Sequence, residues 1–174
     1  MAERLTTIRR AVPEDAAVLA EFAARTFRET FESENTPEDL ALYLASSYGP
    51  DRQVAELRHP GIVTLLAEQE RRLAGYAQLR ESPAPDCVAG PGPIELWRFY
   101  VDRAWQGRGV AQTLIAATFE AAAGRGAGTV WLSVWERNHR AQAFYRKAGF
   151  EDRGAKEFIL GNDRQTDRVM ARTL

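Results

Sequence analysis

Residues 94–111, IELWRFYVDRAWQGRGVA, constrain this chain more than any other stretch. An apolar run ends in a Gly-rich turn, Gln106-Gly107-Arg108-Gly109-Val110-Ala111, and an apolar-periodic helix opens at once. A strand that feeds a helix N-terminus through a bare turn leaves main-chain N–H groups without intrahelical acceptors. The helix dipole adds partial positive charge at the same place. Gly107 and Gly109 carry no side chain to hold an anion away from those amides, and Arg108 adds a formal charge. The stretch predicts a cradle for a phosphorylated ligand, with an ordinary β-to-α turn as the alternative. It is neither familiar nucleotide loop. Val110-Ala111 stand where a P-loop needs Lys-Ser or Lys-Thr, and the dinucleotide fingerprint requires a third small residue at its own spacing and an acid about 20 residues on.

The rest of the chain alternates strand and helix signals. Thr6–Arg10 reads as a short strand, and Pro13-Glu14-Asp15 opens a helix with Ala17, Leu19, Phe22 and Ala23 on its apolar face. Thr36-Pro37-Glu38-Asp39 starts a second helix, with Leu40, Leu42 and Leu44 apolar. Tyr48-Gly49-Pro50 breaks it, and 51–57 can form a short helix. Ile62–Glu68 and Leu73–Leu79 form a hairpin around Gln69–Arg72, and residues 81–93 form a Pro- and Gly-rich loop. Strand Ile94–Val101, helix Val110–Ala123, strand Thr129–Trp135 and helix Arg140–Ala148 follow. Phe158–Leu160 and Arg168–Met170 close the chain as a hairpin. The order β-α-α-β-β-β-α-β-α-β-β predicts one α/β domain over 1–174. It would have a mixed, mostly antiparallel sheet of about seven strands, one parallel crossover, and helices on both faces.

A second segment carries a motif: Asn138-x-x-Ala141-x-x-Phe144-Tyr145-x-Lys147-x-Gly149-Phe150. Together with Gln106-x-x-Gly109-x-Ala111, it resembles the GNAT superfamily, the GCN5-related N-acetyltransferases. The two segments stand in that family's order, on its elements and at its usual separation. The resemblance implies the GNAT fold, acetyl-CoA as co-substrate, no metal, and transfer of an acetyl group by direct attack of a primary amine. It implies cofactor contacts from Phe99, Tyr100 and Val101, from Gln106, Gly107, Arg108, Gly109, Val110 and Ala111, and from Asn138, Tyr145 and Lys147.

Each chemical candidate has a plainer reading beside it. Asn138, between strand and helix, is a natural N-cap; in the family the matching Asn holds the pantetheine arm or the reacting region. Tyr145 fits a core aromatic with its hydroxyl at the edge, while the family's Tyr protonates the departing thiolate. A phenol of pKa ~10 can donate to a thiolate whose acid has pKa ~8.5 once within hydrogen-bond reach. Glu95 interrupts an apolar strand, so it must face water or a partner. It stands where histone-acetylating relatives carry the general base, with an exposed-face Glu as the alternative. A base matters because an alkylamine of pKa ~10.4 is almost wholly protonated at pH 7, a penalty of about 4–5 kcal/mol. Main-chain N–H groups at 99–101 are the candidate donors to the thioester oxygen.

The acceptor is read from the N-terminal half. TFRETFESENTPEDLALYL over 26–44 is similar in wording to bacterial spermidine/spermine-type N-acetyltransferases. Five acids between Glu29 and Asp39, Glu29 and Glu32 among them, would attract a polyamine if they lined the groove. A solvated acidic helix start is the alternative. The competing functions are acetylation of protein N-termini or lysines, and a non-catalytic acyl-CoA-binding sensor. A net charge of −1 calls for neither nucleic acid nor membrane as partner. The first ten residues lack an apolar targeting segment, which predicts a cytoplasmic protein. The single Cys87 reads as a bystander, and a homodimer is the assembly common among relatives.

Overall fold

The strand and helix signals resolve into seven strands and five helices in the computed structural model, which describes residues 5–174. They are β1 (Thr7–Arg10), α1 (Ala16–Phe31), α2 (Pro37–Ser47), α3 (Pro50–Arg58), β2 (Ile62–Gln69), β3 (Arg72–Arg80), β4 (Pro93–Val101), α4 (Val110–Gly124), β5 (Thr129–Trp135), α5 (His139–Lys147), β6 (Glu151–Leu160) and β7 (Asp163–Thr173). The expected caps form: the Thr36 hydroxyl accepts from the Asp39 amide with Pro37 in the first turn, and the Asn138 side chain accepts from the Ala141 amide. Ala17 and Leu42 depart from expectation and face outward, because Ala16 and Ala20 complete the buried face of α1, and Leu40 and Leu44 that of α2.

The sheet runs β1-β2-β3-β4-β5-β7-β6, and every neighbouring pair is antiparallel except β4–β5. One face packs α4 and α5 through Leu114, Ile115, Tyr145 and Phe150. The other packs α1 and α2 through Leu19, Phe22, Phe27, Leu40 and Leu44 onto Leu66 and Tyr76. The closing hairpin is longer than its apolar residues indicated. β6 is an edge strand whose side chains are mostly solvated, so its hydrophobic signal is weak while its ladder with β7 is extensive.

The feature that makes a site is the parting of β4 and β5. Their parallel ladder covers only Pro93↔Thr129, Ile94↔Val130 and Glu95↔Trp131, although β4 continues to Val101. On its other side β4 stays paired with β3, but with a bulge. Leu96 faces Leu79 and Arg98 faces Gln78, so Trp97 is the extra residue. A bulge bends the strand that carries it and increases its twist. The result is a cleft in the middle of the sheet, with main chain on one wall and α5 across from it.

Candidate active site

The turn between β4 and α4 forms as the sequence predicts. Gly107 and Gly109 both have left-handed φ, +74° and +83°, and a Cβ at either would meet only open space. The conformation, not crowding, requires glycine here. Among the described residues, no carbonyl or side chain accepts from the amides of Gly107, Gly109, Val110 or Ala111. Gln106 folds its side-chain amide back onto the Val101 carbonyl at 3.1 Å, fixing the turn to the strand. Arg108 rests its guanidinium 5.3 Å from the centre of the Trp105 ring. A coenzyme diphosphate fits this arrangement, because unpaired amides at a helix N-terminus can donate to phosphate oxygens and no side chain stands in the way.

From the cradle a groove of about 350 Å³ leads inward, lined by Val101, Gln106, Ala111, Asn138, Phe144 and Tyr145 among others. Its wall is the open edge of β4. The Asp102 amide donates to the Ala74 carbonyl on β3, so strand alternation turns the Tyr100 amide the same way and leaves those of Phe99 and Val101 facing the cleft. The Val101 carbonyl, taken by Gln106, points into the cleft as that alternation requires. Tyr100 contributes its ring instead, stacked 5.8 Å from Tyr76.

The groove meets a cavity of about 290 Å³ in which Glu95, Asn138, Tyr145, Lys156 and Asp167 converge. Tyr145 is buried against the edges of Phe99, Phe144 and Phe150, and burial pushes its phenol well above the usual tyrosine value, keeping it protonated. It is thus a core aromatic that also lines the cleft. Glu95 is buried, 3 % exposed, which overturns the exposed-face alternative. Its Oε2 accepts from Arg80 Nε and Nη2 at 2.8 and 2.6 Å and from the Ser82 hydroxyl at 2.7 Å.

Asp167, on β7, carries no sequence signal, yet it is 5 % exposed with Oδ1 lacking any hydrogen-bond partner among the described residues. Burial pushes its carboxyl up to about 6, against the pull of the Ser133 hydroxyl and of Lys156, with Glu136 adding to the rise. A buried arginine was also missed: Arg98 Nη1 bonds Glu56 at 2.6 Å and Gln78 at 2.8 Å. Alternation within β4 and β7 cannot reveal that an Arg and an Asp turn into one cavity.

Three predicted contacts lie elsewhere. Lys147 sits in the last turn of α5 beside Arg153 and Thr173, at a separate surface hollow, because its position on the helix turns it from the side that carries Asn138 and Ala141. Glu29 borders the groove, not the cavity, and pairs with Arg25 at 3.3 Å. Glu32 lies in an outer hollow with Arg28 and Pro37. The acidic run therefore does not line the central cavity; the Asp39 carboxylate instead accepts from the hydroxyl of the α2 cap Thr36 at 2.9 Å and from the Asn162 amide at 2.7 Å. Cys87 packs beside Trp131 and Val169, apart from the cleft. Among the described residues no cluster of His, Cys, Asp or Glu could hold a metal ion, and no helix is long and apolar enough to cross a membrane.

The chain is similar to known proteins along most of its length. A family model described as the acetyltransferase (GNAT) family matches residues 19–150. An uncharacterized N-acetyltransferase of Lactobacillus delbrueckii subsp. lactis is 32 % identical over 159 residues, 90 % of this chain and 92 % of that one. Another, of Mycobacterium tuberculosis, is 35 % identical over 160 residues, 92 % and 98 % of the two chains. The PaiA N-acetyltransferase of Thermoplasma acidophilum, solved in complex with coenzyme A, superposes with a TM-score of 0.79 at 20 % identity, covering 98 % and 99 % of the chains. YncA of Salmonella typhimurium, solved with its cofactor acetyl-CoA, gives 0.75 at 18 % identity over 98 % and 94 %.

Proposed function

The chain belongs to the acetyltransferase (GNAT) family, and on that premise we propose that its cleft transfers the acetyl group of acetyl-CoA to a primary amine. The observation that carries this reading is the meeting of three things in one cleft: unpaired amides at 107 and 109–111, the open β4 edge, and a buried, protonated Tyr145. Acetyl-CoA supplies the activated thioester. The amides of Gly107, Gly109, Val110 and Ala111 grip the diphosphate, and Arg108 adds positive charge beside it. Asn138 spends its side-chain oxygen on capping α5, which leaves its side-chain N–H groups for the pantetheine arm.

The amides of Phe99 and Val101 donate to the thioester oxygen as it gains charge. An ammonium must lose one proton to become a nucleophile and a second as the amide forms. Net, one proton leaves through a cavity carboxylate, for which Glu95 is the candidate, directly or through water. The departing thiolate takes the phenolic proton of Tyr145, and the second proton released from nitrogen restores the phenol. Holding amine and thioester together supplies most of the remaining acceleration.

Thiol release from acetyl-CoA, measured over a panel of primary amines, spermidine and N-terminal peptides, tests the reading. Turnover with any small amine supports it, and turnover with peptides alone points to a protein acceptor. Calorimetric binding of coenzyme A with no release on any acceptor overturns it in favour of a binding module.

A further inference from the structure

The acceptor can be narrowed, on the reading just given. The cavity walls are aromatic, with Phe31, Tyr43, Trp97, Trp135 and Phe158 around the space that Tyr145 closes. Its charges are mostly spent on each other. Arg80 is held by Glu95, and Arg98 by Glu56; both guanidiniums also lie within 4 Å of the centre of the Trp97 ring. Asp167 is different. Among the described residues it has no ion-pair partner, and its Oδ1 is buried without a donor. Among the described residues its one side-chain donor is the Ser133 hydroxyl. The charged and titratable groups acting on it are Lys156 of β6, Glu136 beyond β5 and Tyr43 of α2. A buried acceptor oxygen left bare calls for an explanation, and here the bare oxygen belongs to a residue lining the site where an amine must be held.

We propose that Asp167 seats the ammonium group of the acceptor, and that the acceptor is a monoamine with an aromatic or bulky apolar body. One ammonium satisfies one bare carboxylate, and the remaining body packs on the aromatic walls. A polyamine would carry its further cations past Arg80, Arg98 and Lys156 with no second free carboxylate to meet them. The acids of 29–39 that would attract it lie outside the cavity.

Trp97 and Trp135 line the cavity, so tryptophan fluorescence of the full chain saturated with coenzyme A reads acceptor binding without turnover. Phenethylamine, spermidine and phenylpropionate are the probes. Phenethylamine should bind at least about tenfold more tightly than the other two. Asp167→Asn should weaken it by about 10–100-fold, the range for a charge-assisted hydrogen bond, with coenzyme A affinity unchanged. Phe158→Ala, on the edge strand, keeps the carboxylate and should weaken phenethylamine about tenfold while sparing methylamine, which serves if the Asn variant folds poorly. Equal or tighter binding of spermidine, preference for phenylpropionate, or an indifferent Asp167→Asn overturns the proposal. Phenethylamine binding without acetyl transfer supports the proposal and sinks acetyl transfer; transfer that favours spermidine does the reverse.

Discussion

The two ends of the cleft are built by opposite means. The end proposed to hold the cofactor is main chain: a bulged strand edge, two glycines with left-handed φ and the first turn of α4, all within residues 93–113. The end proposed to hold the acceptor is side chain. It draws Tyr43, Glu95, Trp135, Tyr145, Phe158 and Asp167 from six elements. Main-chain donors serve any ligand with the same diphosphate, so this end can stay constant while acceptors differ. Side chains from distant segments can be exchanged singly without disturbing the sheet. The contrast explains how one fold serves many acceptors.

The comparison breaks most sharply at Gly109. Gly109→Val should weaken acetyl-CoA binding about 1000-fold by calorimetry, since at least two charge-assisted bonds of ~1.5–3 kcal/mol depend on the turn. The left-handed φ adds a strain of about 1–2 kcal/mol that lowers the melting temperature without abolishing the fold. Retained affinity would mean the diphosphate is held elsewhere.

Next in size is a gain at the other end. Burial raises the Asp167 carboxyl from 3.8 to about 6, so the folded protein binds this proton more tightly than the unfolded chain does. Stability is therefore greatest below the unfolded value and falls as pH rises through about 6. At ~1.36 kcal/mol per tenfold change in proton affinity, the loss is about 3 kcal/mol. Asp167→Asn should recover that amount in urea unfolding at pH 8 and gain nothing below pH 4. A constant difference across pH would show that the carboxylate charge is not the cause.

Tyr145 joins the two ends, and Tyr145→Phe should lower kcat about 100-fold with unchanged acetyl-CoA affinity, the effect of losing one positioned acid. Equal rates would free Tyr145 from any role beyond packing. The smallest effect belongs to Asn138. Asn138→Ala removes the cap of α5 and should reduce stability by about 1 kcal/mol. A KM for acetyl-CoA that does not move would restrict Asn138 to capping.

The sequence alone determined the order of the strands and of every helix but α3, the caps at Thr36 and Asn138 and the conformation of the 106–111 turn. Each depends on residues a few positions apart, through hydrogen-bond geometry and the φ that glycine alone adopts cheaply. It also carried enough of the two motif segments to point to the family. Only the tertiary structure decided which charges meet and which are buried. Arg98 finds Glu56 across 42 residues, the acids at 29–39 turn away from the cavity, and Asp167 ends inside it. Burial and pairing are properties of surfaces brought together by the whole chain, and no local pattern records which side chain will be left without a partner.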